Sequence, residues 1–243
     1  MGGEQRKVAR GFTLALAAAA VMVASRAASA AAPEPELMAR LAEYAARLDS
    51  MRTHASYNFD GHLETLDRAG QPDSKKTMTA RVNADGTTAT LDVFKYTEDG
   101  EDKTQEARQK AREREEKRKK EKKHIRIPLL ATEQPRYVFD QVEVSPSDPS
   151  RVKISFVPRA PDDDTVEGSA WIDATTGSLI SVGFKLSKTS MFVDYMHFTV
   201  EFGETTKLGP AVSRVVVEGQ GGILFFRKRF RGTAKISDYA IVP

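Results

Sequence analysis

The sequence predicts a mainly antiparallel β protein, a curved incomplete barrel with an N-terminal amphipathic helix as lid and a charged helical insertion. Three observations predict it. From Ser56 onward apolar residues recur at every second position between clusters of Gly, Pro, Asn and Asp, the pattern of strands with one buried face. Ahead of them Leu37, Leu41, Tyr44, Leu48 and Met51 recur at steps of four and three, the stripe of one helix. Between two strand-like regions lies a run of charge with no apolar stripe, from Lys103 to Lys123.

The chain has 243 residues. Residues 1–30 read as a secretory signal peptide: Arg6, Lys7 and Arg10 precede an apolar run from Gly11 to Ala24, which is short for a membrane span of ~20 residues, and Ala28-Ser29-Ala30 supplies an A-x-A cleavage pattern. The expected mature product, 31–243, is one soluble, periplasmic β domain with the insertion at 103–123 inside it. Four basic groups against Glu4 give residues 1–30 a charge of +3, which accounts for the whole net charge of the chain. The basic isoelectric point near 9.0 therefore says little about partners. With no cysteine in the chain, disulfides, thiolate metal sites and cysteine nucleophiles are all excluded.

The helix stripe needs an apolar surface to cover, because a helix this short is marginal in water alone. Strands follow. Tyr57, Phe59, Gly61 and Leu63 share one face; Met78, Ala80 and Val82 and then Ala89, Leu91 and Val93 flank a turn at Asn83-Ala84-Asp85-Gly86, and Thr97 to Asp102 is expected to end that strand. After the insertion, strands are expected over Tyr137 to Val144 and Arg151 to Val157, around a proline-bearing connection. The most regular stretch runs from Glu167 to Phe202. Val166 to Asp173 alternates up to a turn at Ala174-Thr175-Thr176-Gly177, where Gly177 is expected to take positive φ. Ile180, Val182, Phe184 and Leu186 then fall on one apolar face, and Phe192, Met196, Phe198, Val200 and Phe202 on another. Val212 to Val217 and Ile223 to Phe230 read as strands around a turn at Glu218 to Gly222, with a last strand over Ala234 to Ile241.

Within the insertion, Arg112 to Lys123 holds eight Lys or Arg and four Glu. It reads as a solvated helix or partly disordered decoration, with an anionic membrane surface as the partner it would suit; export argues against nucleic acid. His54, His62, His124 and His197 show no metal-ligand spacing, and Asp162-Asp163-Asp164 lacks the alternation and glycine of a calcium loop. No nucleophile elbow, phosphate loop, zinc-protease or dinucleotide fingerprint is present, so neither catalysis nor a cofactor is expected.

The signal segment, the single helix and the long meander with Trp171-Ile172-Asp173 before Thr176-Gly177 and Leu179-Ile180 resemble the LolA-like outer-membrane lipoprotein-sorting proteins, a group that includes the LolB and RseB relatives. The resemblance implies a half-barrel closed by helices over a hydrophobic cavity that takes acyl chains, with carriage to the outer membrane as its role. On that reading the ligand-binding residues are Leu41, Tyr44 and Leu48 from the helix and Ile180, Val182, Phe184, Met196, Phe198 and Val200 from the sheet. The other reading is a periplasmic sensor or protein-interaction module of the same fold with no transport role.

Overall fold

The computed structural model describes residues 31–84, 89–118, 126–189, 193–223 and 226–241. The expected signal segment 1–30, the Asp85-Gly86 pair, Phe192 and the basic end of the insertion (119–123) therefore lie outside the described residues. Helix α1 spans Pro35–His54. Its proline sits in the first turn, where a missing N–H costs nothing, and Glu36 there and Arg52 and His54 in the last turn complement the helix dipole.

The strands are β1 (Ala55–Leu66), β2 (Pro72–Ala84), β3 (Ala89–Glu98), β4 (Glu101–Asp102), β5 (Tyr137–Val144), β6 (Arg151–Pro158), β7 (Val166–Asp173), β8 (Leu179–Leu186), β9 (Val193–Thr206), β10 (Gly209–Ile223) and β11 (Phe226–Ile241), with helix α2 (Thr104–Arg118) after β4 and a 3₁₀ turn (Gln134–Arg136) before β5. They form one antiparallel sheet in the order β4-β3-β2-β1-β11-β10-β9-β8-β7-β6-β5, open and not closed into a barrel. The first and last long strands pair in the middle, so both edges come from the middle of the chain. The connection from β4 to β5 must therefore run from one edge to the other. It carries α2 and residues 126–136.

Three local expectations need correction. The segment after β3 does not simply end the strand: Asp99 (φ 53) and Gly100 (φ 87) make a two-residue turn that pairs Glu98 with Glu101. Gly219, Gly221 and Gly222 do not turn the chain but lie inside β10, paired with β11 as far as Ile223↔Phe226. At Gly219 the reason is clearance, since a Cβ there would stand 2.5 Å from the ring of Phe230, its cross-strand partner. The two final strands are one, β11, which runs through Gly232 without a break.

Each edge is covered in part. Ala31 bridges to Gln141 of β5, whose N–H donates to the Ala31 carbonyl at 2.8 Å. On the other side, α2 packs against β3, and Arg108 Nε donates to the Val93 carbonyl at 2.8 Å, occupying an acceptor of the β3 backbone. The insertion is thus anchored to the sheet through its first turns.

The main core lies between α1 and the β5–β8 half. Leu37, Leu41, Tyr44 and Ala45 of α1 are buried with Tyr137, Ile154, Phe156, Val166, Ala170 and Ile172. Gly177 has φ 72 and lies against α1, where a Cβ would be 2.8 Å from the backbone carbon of Arg40; Arg40 Nη2 in turn donates to the Ala174 carbonyl at 2.9 Å. The glycine of this turn therefore permits both the hairpin and the close seating of the helix.

Candidate functional site

Beside the last turns of α1, where Met51 packs on Ala211, a cavity of about 420 Å³ remains between helix and sheet. Its walls come from Leu48 and Met51 of α1, from residues 126–129 of the crossing connection, and from inward side chains of β6 to β11 with Tyr57 of β1. They are almost wholly apolar: Phe156, Val166, Leu179, Val182, Phe184, Val200, Phe202, Ala211, Val212, Val215 and Ile236 among them.

Breaks in strand alternation set much of this lining. Between Trp171 and Ile172 the pairing with β8 slips, so that Ile172 faces Leu179 while Trp171 faces Ser181, and Ile180 is the unpaired extra residue. Leu179, not Ile180, therefore joins Val182 and Phe184 on the inner face. Irregularities at Ala211/Val212 and Val212/Arg214 bring both Val212 and Val215 inward. At the far end of β11, Asp238 has φ 55 and is held by Asn58 Nδ2 donating to its carboxylate at 2.8 Å. This irregularity turns Tyr239 to the same side as Ile236. Tyr239 donates from its hydroxyl to the Val212 carbonyl at 2.9 Å and packs on Tyr57 with ring centroids 5.2 Å apart. Burial raises its phenol pKa above the usual range.

Besides Ile180, which does not line the cavity, the residues expected from sequence to bind a ligand separate into three groups. Leu48, Val182, Phe184 and Val200 line the cavity. Leu41 and Tyr44 do not: both are fully buried in the closed core, and the Tyr44 hydroxyl, its pKa raised by burial, donates to the Pro210 carbonyl at 2.5 Å. Met196 and Phe198 share the face of Val200 but lie further along β9, with Phe198 stacked on Phe184 at 5.1 Å.

Sequence reasoning missed the crossing segment. Ile127, Pro128 and Leu129 line the cavity, and Leu129 is buried. The available signal was the stretch Ile125 to Leu130 that follows the charged insertion, since five apolar residues around a single Arg126 between a charge run and a turn call for burial. Charge and polar contacts fix the segment. The Arg126 N–H donates to the Asp164 carbonyl at 3.1 Å, Arg126 Nε to the Asp164 carboxylate at 2.5 Å, and Arg126 Nη1 to Glu133 at 3.2 Å. Gln134 Nε2 ties it to α1 and to itself, donating to the carbonyls of Met38 (3.1 Å) and Leu129 (3.0 Å).

Among the described residues no group of three His, Asp or Glu stands close enough to hold a metal ion, and no helix is long and apolar enough to cross a membrane. The arrangement can enclose an apolar body; it brings no nucleophile and base together.

The fold is one open antiparallel sheet with a helix packed on its inner side. No known family profile and no curated protein matches the sequence. Solved structures similar to it include a LolA superfamily protein from Nitrosomonas europaea (9% identity, TM-score 0.33, covering 82% of this chain and 94% of that one). A Pseudomonas aeruginosa MucA/MucB complex matches at 12% identity and TM-score 0.25, covering 84% and 99%. A structure of MucB with the periplasmic part of MucA matches at 11% identity and TM-score 0.22, covering 83% and 98%.

Proposed function

We propose that this is an exported, periplasmic binding protein that holds the acyl chain of a lipid or lipoprotein between α1, residues 126–129 and the inner face of β6–β11. The observation that carries this reading is the cavity itself, about 420 Å³ with apolar walls, within the usual range for a small-ligand site. Transfer of an acyl chain into such a space gains ~0.8 kcal/mol per methylene, so useful affinity needs few placed polar groups. The absence of a sequence motif fits that physics.

Native mass spectrometry of the protein recovered from a secreting host tests it. An adduct of lipid mass is expected, and it is lost in the folded fraction of Val182→Asp, which puts a charge into the apolar wall. A protein that carries no adduct and binds no neutral hydrophobic dye rules the reading out. One observation favours the interaction-module alternative: Val138, Val142, Val144 and Val157 are exposed on β5 and β6 at the edge of the sheet, a surface along which a partner strand could add. Loss of partner capture on Val138→Lys, with the lipid adduct retained, would select that alternative.

A further inference from the structure

We infer that the cavity takes a single-chain anionic amphiphile, its acid head group held by Arg126 and Arg52. This rests on the acyl-chain reading above and adds to it the charge and the size of the ligand. Arg52 and Arg126 are the charged residues of the lining, and no carboxylate lines the cavity.

The two guanidinium groups enter at a wall that is otherwise apolar, one from the last turn of α1 and one from the crossing segment. Arg126 is already oriented. Its Nε and Nη1 are engaged by Asp164 and Glu133, which leaves Nη2 with no protein partner among the described residues. Arg52 pairs with Asp49 through Nη2 at 2.9 Å and keeps Nε and Nη1 without a partner among the described residues. The N–H groups that remain can each give a single charge-assisted hydrogen bond to an oxygen of a carboxylate or phosphate, and Arg126 is held in place by its two carboxylate partners before the ligand arrives.

Size limits the chain count. A methylene occupies roughly the share of a water in the liquid, about 30 Å³. At that figure 420 Å³ accommodates about fourteen such groups, the length of one acyl chain. The competing account is that both arginines merely lay their stems along the rim with solvated heads, since each side chain is about half exposed (50% and 48%). That account gives no preference among head groups.

Displacement of the neutral dye N-phenyl-1-naphthylamine from the full chain separates the two. The competitors are myristate, 1-myristoyl-lysophosphatidylglycerol and 1-tetradecanol, which share one chain length. At least one of the two anions should displace the dye at about tenfold or lower concentration than the alcohol, the gain expected of a charge-assisted hydrogen-bond pair. The better anion identifies the source as a free acid or a phosphate. Arg52→Gln and Arg126→Gln should each shrink that ratio and leave tetradecanol unchanged. Equal displacement by acid, phosphate and alcohol overturns the head-group inference while the acyl-chain reading stands; failure of all three competitors overturns the acyl-chain reading itself. Should Arg126→Gln loosen the crossing segment and weaken tetradecanol too, Arg52→Gln decides, because its side chain is half exposed in the last turn and supports no core contact.

Discussion

The two halves of the sheet make different use of the same helix. Along its first turns, mainly against β5–β8, α1 buries Leu37, Leu41, Tyr44 and Ala45 in the closed core, and hydrogen bonds from Arg40 to the Ala174 carbonyl and from Tyr44 to the Pro210 carbonyl of β10 hold the helix. Along its last turns, mainly against β9–β11, the same stripe continues through Leu48 and Met51, and a cavity opens beside them that reaches back to Phe156, Val166 and Leu179. The hydrophobic stripe is uniform; the sheet beneath it is not. An apolar face therefore becomes core or cavity according to how closely the facing side chains fill the space before it, and only the first supplies tight-packing energy.

Leu41→Ala should show the largest effect. It empties a fully buried site in the closed half, at a cost of about 2–5 kcal/mol, with a clear fall in melting temperature. Dye affinity of the folded fraction should not change, because Leu41 does not line the cavity. If Leu41→Ala instead costs little, the closed half is not close-packed and the comparison breaks.

Val215→Phe acts on the other side of the comparison. It adds volume to the cavity from β10, so the stability change should stay below about 1 kcal/mol, where the same enlargement in a filled core costs about 1–3 kcal/mol. Dye and lipid binding should be lost. A large destabilisation by calorimetry would mean that the space is already filled by side chains.

The smallest expected effect concerns pH. On the face of β1 opposite Tyr57, Glu64 accepts hydrogen bonds from Arg231 and His62 and pairs with Lys75, joining β2, β1 and β11 where the first and last strands meet. The Arg231 hydrogen bond, followed by that of His62, holds its carboxyl down at about 2 against an ordinary 4.5. A lowered folded-state pKa contributes stability that is present above the unfolded value and lost as pH falls through the folded one. Between about pH 4.5 and 2 the wild type should lose stability faster than Glu64→Gln, measured by urea titration at each pH. Parallel curves would remove this cluster from the account of the β1–β11 seam.

How far the sequence could be read follows the same division. The stripe of α1, the turn at Gly177 and the alternation of β5–β8 follow from local rules, because neighbouring residues in the chain are neighbours in the structure there. Leu48, Val182, Phe184 and Val200 were legible as cavity residues for that reason. Leu41 and Tyr44 were not separable from them, since one stripe serves both a filled and an empty space. Period-two counting also placed Ile180 inward, and an irregularity that inserts one residue moves the inward position to Leu179.

By itself the sequence determined the antiparallel class, the single covering helix and which side chains are apolar enough to meet it, since these depend on periodicity and turn chemistry along the chain. Only the tertiary structure decided that β1 and β11 pair at the centre of the sheet, that the β4–β5 connection therefore crosses between the two edges, and that this crossing lays Arg126, Ile127, Pro128 and Leu129 against the cavity. Pairing of strands some 180 residues apart, and the irregularities that aim Leu179, Val212 and Tyr239, are set by contacts between distant segments. Local propensity carries no record of such contacts.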